Sequence, residues 1–380
     1  MRRTFRGFLS GGLLFTSPFL FAQTDTLNVV TSAVPFLRIS PDARAGGMGD
    51  LGVATLPDAN AQFYNVAKYA FSPQKSGFAL TYTPWLKDLG LTDVYLTTAA
   101  GYVKVDAEQA ISGSLRYFSL GNIQFTDNLG QDLQMVRPRE FGLDAGYSRK
   151  LSDVLSLGVA MRYIFSNLAG NASVNGVSYK PGSAVAGDVG LYYNKGLPES
   201  SSLSLGAAMT NMGSKIGYTN DASARDFIPA NLSLGGVYSR VSNEVNRISL
   251  GLDIHKMMVP TPPSLSDSAG IVAYRSKGVV GSWFSSFADA PGGFAEELRE
   301  FSFSAGMEYT YNDQFAFRMG YFYEDRTKGN RQFFSIGTGI KYNVFGLNFS
   351  YLLPSGAGVN RNPLSNTIRF SLVFDFDAGK

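Results

Sequence analysis

Few residues in this 380-residue sequence have the types and spacing that catalysis or metal binding needs. His255 is the single histidine and cysteine is absent, so a multi-histidine zinc site, a thiolate metal site or a cysteine nucleophile cannot be built. Asp253 lies close before His255, and a Ser-His-Asp esterase is one interpretation of this pair. A histidine without a catalytic role at a strand end is the favoured interpretation, and we predict no catalytic or metal-binding residues.

Two short motifs resemble signatures of cofactor binding or acyl transfer. Residues 47–52 match G-x-G-x-x-G, but a dinucleotide site needs a strand before this motif and a helix after it, and prolines stand on both sides here. Ser72 and Lys75 match S-x-x-K, yet Pro73 stops the helix that this motif requires, and its companion motifs are absent. We therefore predict that no cofactor binds and that residues 47–52 form a tight glycine-rich turn.

The stretch 256–299 has the composition of a contact surface. It combines adjacent methionines, a proline-rich spacer and several aromatic residues, and exposed clusters of this kind are commonly binding sites. The alternative is that these side chains fold back onto the rest of the protein or lie at a membrane interface. The residues predicted to contact a partner or cargo are Met257, Met258, Trp283, Phe284 and Phe287.

Composition limits the class of protein. Lys and Arg number 33 and Asp and Glu 30, and the net charge of +3 is too small for a nucleic-acid groove. Charged residues make up 17% and aromatic residues 13%, so part of the surface need not face water.

The N-terminus begins with basic residues that are followed by an apolar stretch, and this pattern predicts a secretory signal peptide over residues 1–22. A membrane helix is the alternative, although the stretch is shorter than the ~20 residues of a span.

Beyond residue 76 the sequence repeats with the period of two that is typical of β-strands. Phe315, Phe317 and Met319, for example, share one face of a predicted strand, and Arg318 lies on the other. About fourteen such segments are predicted, an even number as in bacterial outer-membrane barrels. They are 77–84, 94–105, 109–118, 139–150, 154–165, 183–194, 202–210, 231–240, 246–255, 300–310, 314–324, 332–342, 344–353 and 366–376.

The connections between these segments favour a transmembrane barrel over a soluble β-sandwich. Short connections alternate with longer ones, as periplasmic turns alternate with external loops in outer-membrane barrels. A closed sheet pairs every backbone polar group, and its apolar parity can face lipid. Residues 77–380 are therefore predicted to form an all-β, antiparallel transmembrane β-barrel, with long external loops at 119–138, 166–182, 211–230 and 256–299.

Charged residues of the predicted strands fall on the parity that faces the lumen. There, charges of both signs can pair instead of facing hydrocarbon, where a charge costs roughly 2–4 kcal/mol at mid-depth. The residues predicted to face the lumen are Arg116, Asp144, Arg162, Asp188, Asp253, Glu308, Arg318 and Arg369.

Residues 23–76 do not alternate and contain several prolines. A barrel of about fourteen strands is wider than the eight that side chains alone can fill. We predict that residues 23–76 occupy the lumen as an N-terminal plug or hatch; a periplasmic tail is the alternative.

This N-terminal segment resembles the PorV family of outer-membrane proteins of the type IX secretion system. The resemblance lies in the runs AVPFLRISPDARAGGMG at 33–49 and DANAQFYNVA at 58–67, which are also similar, more distantly, to the hatch of FadL-type fatty-acid transporters. It implies a location in the cell outer membrane of a Gram-negative, Bacteroidota-like bacterium. The plug motif that it implies includes Arg44, Gly47, Gly49 and Asn65.

The function that the resemblance implies is that of a non-enzymatic shuttle. Members of the family receive cargo with a C-terminal secretion signal at a giant outer-membrane translocon barrel and deliver it to a cell-surface sortase. The expected partners are that translocon, the sortase, the cargo proteins and the lipid bilayer, with no nucleic acid. Two alternatives stay open: a FadL-like channel for hydrophobic small molecules, and a lipid A deacylase that would depend on His255.

Overall fold

The computed structural model describes residues 28–126, 130–170, 172–174, 177–221, 223–264, 266–353, 364 and 366–377, so the predicted signal peptide lies outside the described residues. Within these ranges, fourteen antiparallel strands form a closed barrel. The all-β barrel predicted from the sequence is confirmed. In chain order its strands are β1 Ser76–Pro84, β2 Val94–Lys104, β3 Gln109–Leu120, β4 Arg139–Lys150, β5 Leu155–Asn167, β6 Gly182–Leu197, β7 Ser201–Gly213, β8 Asn231–Ser242, β9 Asn246–Met257, β10 Phe301–Tyr311, β11 Phe315–Tyr323, β12 Gln332–Tyr342, β13 Phe345–Leu352 and β14 Ile368–Phe376.

The barrel closes between its first and last strands. Ser76 of β1 lies opposite Phe376 of β14, so the sheet has no free edge. Short turns join the strands at one end of the barrel. Asn312 and Asp313, between β10 and β11, both have positive φ (52° and 51°), the conformation of a two-residue hairpin turn that Asn and Asp tolerate. The longer loops lie at the other end.

Side chains alternate between the two surfaces of the barrel wall. In β5, Val159 and Met161 point outward, and Met161 has 68% of its surface exposed, whereas Ala160 is buried inside. An exposed apolar row of this kind is stable when hydrocarbon, and not water, covers it. The charged residues predicted to face the lumen are all buried, which confirms the parity assigned to them: Arg116, Asp144, Arg162, Asp188, Asp253, Glu308, Arg318 and Arg369.

The described residues that precede β1, 28–75, are called the luminal segment: Asn28 bonds to an external loop, and residues from Ala43 to Asn65 contact the inner face of the barrel strands. Glycine and proline are frequent here and keep its helices short. The Asp42 side chain caps one helix by accepting a hydrogen bond from the Ala45 amide at 2.9 Å. The helices are 3-10 turns at Pro35–Arg38, Ala61–Phe63 and Val66–Phe71, and α1 at Ala43–Gly46.

The loops at the other end of the barrel contain short elements of their own. Loop 258–300 carries helices α2 Ser268–Ser276, α3 Val279–Ser285 and α4 Phe294–Arg299. No helix in the described part of the chain has the length and apolar character needed to span a membrane. The remaining elements are a 3-10 turn at Lys87–Leu89 and three two-stranded hairpins: Ile123–Thr126 with Asp132–Val136, Ser173–Val174 with Val177–Ser178, and Ile216–Gly217 with Arg225–Asp226.

Candidate functional site: the luminal segment and the external loops

A row of inward-facing glycines in the barrel wall receives the luminal segment. Some of them are paired across neighbouring strands, as are Gly158 with Gly190 and Gly306 with Gly320. A methyl group on Gly158 would lie 2.5 Å from the amide nitrogen of Ala67, so only glycine lets the two backbones approach this closely. This glycine belt runs through the successive strands β4 to β12: Gly146, Gly158, Gly190, Gly206, Gly235, Gly251, Gly306, Gly320 and Gly337.

Two glycines of the luminal segment complete this contact from the inside. Gly49 has a φ of +70°, and a methyl group there would lie 2.7 Å from the backbone of Tyr321 in β11. Its amide also donates a hydrogen bond to Ser335 Oγ at 2.9 Å. Gly47 packs against Gly337 of the glycine belt. The glycine-rich run therefore forms a tight turn against the wall, and helical turns, not the strand that a dinucleotide site needs, precede it.

Arg44 links the luminal segment to the wall through ion pairs. Its Nε and Nη2 donate to the two carboxylate oxygens of Glu308 in β10, at 3.0 and 2.8 Å. Its Nη1 donates to Asp58 Oδ2 at 2.8 Å. Glu308 also accepts a hydrogen bond from Arg318 at 2.6 Å. Removing one partner from a buried pair costs about 3–5 kcal/mol, so this network anchors the segment.

Asn65 and Lys68 hold the second half of the luminal segment. The Asn65 amide donates to the carbonyl oxygen of Leu191 in β6 at 2.8 Å, and its oxygen caps the turn that follows. Lys68 is buried and donates from Nζ to the carbonyl oxygen of Gly52 at 2.8 Å. Burial lowers the pKa of Lys68 to about 8, because the charged form is poorly solvated there. All residues of the predicted plug motif thus contact barrel strands: Arg44, Gly47, Gly49 and Asn65.

Other buried charges inside the barrel also have partners. Arg162 donates to Asp144 at 2.5 Å and to Asp188 at 2.9 Å. Asp253 accepts hydrogen bonds from the backbone amides of Gly52 and Val53 in the luminal segment. Such pairing offsets the cost of burying each charge, and it gives much of the lumen a polar, hydrogen-bonded character.

Buried lysines fasten the loop 258–300 to the barrel. Lys256, at the end of β9, lies 2.5 Å from a carboxylate oxygen of Glu300. Lys328, in the loop between β11 and β12, pairs with Glu296 at 2.6 Å and with Glu300 at 2.9 Å. Buried ion pairs are screened only weakly by salt. The network therefore holds α4 against the mouth of the barrel.

The structure separates the residues predicted to contact a partner. Met257 and Met258 are buried beneath the loop, so they offer no surface to another protein in this conformation. Trp283 and Phe287 are half-buried. Phe284, on α3, has 68% of its surface exposed and is the one of the five that is available for contact.

Sequence reasoning missed a second exposed group of apolar residues, on α4. Phe294 is 77% exposed, and Leu298 follows one turn later on the same face. Val280 and Phe284 have the same spacing on α3. These four residues are called the apolar loop surface. The four-residue spacing was the available signal, but helices this short give too few repeats for a periodic pattern to stand out.

His255 is on the inner parity of β9, below the external loops. Its Nδ1 lies 2.9 Å from Ser233 Oγ, and its Nε2 lies 3.5 Å from Ser304 Oγ. Asp253 is engaged with the luminal segment, so among the described residues His255 bonds to hydroxyl groups and lacks the carboxylate of a Ser-His-Asp triad. The described ranges also contain no cluster of three or more His, Cys, Asp or Glu residues that could hold a metal ion.

A closed barrel of fourteen antiparallel strands with a segment folded inside it is the fold that this chain shares with several solved outer-membrane proteins. One similar solved structure is the toluene transporter TodX of Pseudomonas putida, with 12% sequence identity and a TM-score of 0.51 over 89% of this chain and 99% of that chain. A second is the toluene transporter TbuX of Ralstonia pickettii, with 14% identity and a TM-score of 0.51 over 88% of this chain and 98% of that chain. A third is the monoaromatic hydrocarbon channel CymD, with 12% identity and a TM-score of 0.50 over 89% of this chain and 98% of that chain. At such identities the likeness shows the fold alone.

The family is shown by a sequence match. The model of the type IX secretion system protein PorV matches residues 21–264, and the chain belongs to that family. No curated protein matches the sequence. The family match makes the chain an outer-membrane component of the type IX secretion system, and the closed barrel agrees with that location.

Proposed function

We propose that this protein is the outer-membrane shuttle of type IX secretion, which binds the C-terminal signal domain of secreted cargo at the translocon and delivers it to the cell-surface sortase. Membership of the PorV family is the observation that carries this proposal. The expected partners are the giant translocon barrel, the sortase and the cargo. The shuttle binds and releases cargo without chemistry, so no residue is assigned a catalytic role.

The luminal segment supports a carrier rather than an open channel. It contacts strands β4 to β12 through the glycine belt, and the pair between Arg44 and Glu308 anchors it. A solute would have to displace this segment before it could cross. The shuttle proposal instead places the work of the protein at its external loops.

The apolar loop surface supports a role in binding other proteins. Phe284 and Phe294 are exposed outside the barrel wall, where apolar groups are most often contact sites. The ion pairs of Lys256 and Lys328 hold the loop in place before a partner arrives, which lowers the entropy cost of binding.

Replacing both exposed phenylalanines tests the proposal. The double variant Phe284→Ser/Phe294→Ser should fold as well as the wild-type barrel, because neither ring is buried. In a deletion strain that expresses this variant, cargo should accumulate in the periplasm at least several-fold, and less translocon and sortase should co-purify with the barrel.

The matched control is Val105→Ser/Leu151→Ser, which changes two exposed apolar residues at the short-turn end. This control should secrete cargo normally. Secretion at the wild-type level by the Phe284→Ser/Phe294→Ser variant, with the barrel present in normal amounts, would contradict the proposed use of this loop.

A FadL-like channel for hydrophobic small molecules is the second candidate, favoured by the fold shared with the toluene transporters. It predicts that growth on a hydrophobic solute depends on the protein and that the solute enters the lumen.

A lipid A deacylase is the third candidate. His255→Ala should abolish that activity, and lipid A modification that persists in the variant would exclude it.

A further inference from the structure

A cavity of about 130 Å³ lies between the luminal segment and the external loops. Residues of both the segment and the wall line it, among them Arg38, Tyr64, Arg116, His255 and Arg331. Three of these are arginines: Arg38 belongs to the luminal segment, Arg116 to β3, and Arg331 to the loop before β12. The cavity is large enough for several water molecules or a small ligand group, and far too small for a folded domain.

Arg116, on β3, brings a positive charge to this cavity without an anionic partner. It is 3% exposed, and within the described part of the chain it forms no ion pair. Its Nη1 donates to the carbonyl oxygen of Leu37 at 2.6 Å, and its Nε has no hydrogen-bond partner. Asp144 and Asp188, further into the wall, share the guanidinium group of Arg162 as their ion-pair partner.

Arg38 and Arg331 share a single carboxylate, that of Glu324. Arg38 Nη2 lies 3.0 Å from one of its oxygens, and Arg331 donates to both oxygens at 2.8 Å. Burial, and then the positive charge of Arg331, lowers the pKa of Arg38 to about 10. The two guanidinium side chains keep 29% and 27% of their surfaces exposed, so the cavity opens towards the external side.

The lining of the cavity holds fewer carboxylates than arginines. Asp50 lines the cavity, but its Oδ1 forms no hydrogen bond, and its nearest cation is the buried Arg369 at 3.9 Å. Arg369 itself has two nitrogens without hydrogen-bond partners. The residues that line the cavity therefore carry three guanidinium groups, those of Arg38, Arg116 and Arg331, against the single carboxylate of Asp50. A buried charge without a partner is costly, and an added anion would remove that cost.

We propose that this cavity is an oxyanion site and that its occupant is the carboxylate at the end of a polypeptide. Arginine binds carboxylates through charge-assisted, directional hydrogen bonds, and capture of a chain-terminal carboxylate is a recurring mode of peptide recognition. A chain end is narrow enough to enter the cavity. The identification of the anion as a polypeptide end rests on the proposed function, because secreted cargo would arrive at the external side. The existence of an oxyanion site does not rest on the proposed function.

The experiment measures binding of N-acetyl-trialanine to the full-length barrel in detergent by saturation-transfer NMR. The peptide is offered as the free acid and as the C-terminal carboxamide. The free acid should bind, and the carboxamide should bind at least ten-fold more weakly. Arg116→Met should abolish binding of the acid. Because Arg116 is buried in a strand, Arg38→Met, on the luminal segment, is the second variant, and it should weaken binding several-fold.

The matched control is Arg247→Met, which removes an arginine at the short-turn end that pairs with Asp313. It should bind the free acid as the wild type does. Equal binding of acid and carboxamide, or wild-type binding by a folded Arg38→Met variant, would overturn the oxyanion site. If inorganic phosphate or acetate binds to the cavity and the free-acid peptide does not, the polypeptide end is excluded as the source of the anion. The proposed function is tested separately, because loss of cargo secretion in the Phe284→Ser/Phe294→Ser variant does not depend on this cavity.

Discussion

Gly320 of β11 lies directly against the backbone of Met48 in the luminal segment. The variant Gly320→Ala would place a methyl group inside the space of that carbonyl, so the segment must shift. Overpacking of this kind lowers the free energy of unfolding by about 1–3 kcal/mol. Urea unfolding should report the loss, and ion conductance across a planar bilayer should rise as the segment is displaced.

The control for this change is Gly346→Ala, at an inward-facing glycine of β13 whose new methyl group would have its nearest neighbour at 3.6 Å. It should leave both the stability and the conductance near their wild-type values. A Gly320→Ala variant that unfolds and conducts like the wild type would show that the glycine belt does not hold the segment.

Lys68 gives the stability of the protein a predictable dependence on pH. Its pKa is about 8 in the folded protein and 10.5 as an ordinary lysine, so between these values the unfolded chain binds more protons. The free energy of unfolding should therefore rise from pH 8 to pH 10, by at most about 1.4 kcal/mol per pH unit from this group. Below pH 8 the full cost of the buried charge remains.

The variant Lys68→Met should lose that rise, which a comparison of urea unfolding at pH 8 and pH 10 can measure. Lys195→Met, which changes an exposed lysine at the end of β6, should keep the wild-type dependence. An unaltered rise in the Lys68→Met protein would mean that other groups, and not Lys68, are responsible for it.

At the scale of elements, the strands were predictable because their pattern is local. The predicted strand 314–324 corresponds to β11, Phe315–Tyr323, since alternation of apolar residues reports directly which side faces lipid. The glycine belt was not predictable, because a glycine on the inner parity does not reveal which backbone approaches it. For a similar reason the sequence left open whether Met257 and Met258 are exposed or fold back onto the barrel: composition identifies an apolar loop but not which of its residues fold inward.

The lysine network at the base of loop 258–300 makes that loop a fixed element. Lys328→Met would leave Glu296 and Glu300 with less compensation for their charge. In limited proteolysis the loop should then be cut several-fold faster than in the wild type. The barrel itself should keep its heat-modifiable mobility on gels. Lys180→Met, in another external loop, serves as the control and should be cut at the wild-type rate. Equal cutting of both variants would rule out the network as the clamp.

At the scale of the whole molecule, the outward face of the wall requires a bilayer. Met161 lies at the middle of β5 and is 68% exposed. Met161→Arg should lower the free energy of unfolding in phosphatidylcholine vesicles by about 2–4 kcal/mol, the cost of a cation at the bilayer midplane. Met161→Leu should change it little. An arginine variant that folds as well as the wild type would place this surface outside the hydrocarbon.

The close fit between the glycine belt and the luminal segment also constrains the order of assembly. The segment precedes β1, yet it touches strands up to β14, the strand that pairs with β1 to complete the cylinder. A segment that entered after β1 and β14 had paired would have to pass along a closed wall against which it packs tightly. We therefore expect the N-terminal residues to rest on the nascent sheet before the last hairpin arrives, so that the insertion machinery of the outer membrane releases a barrel that is already filled.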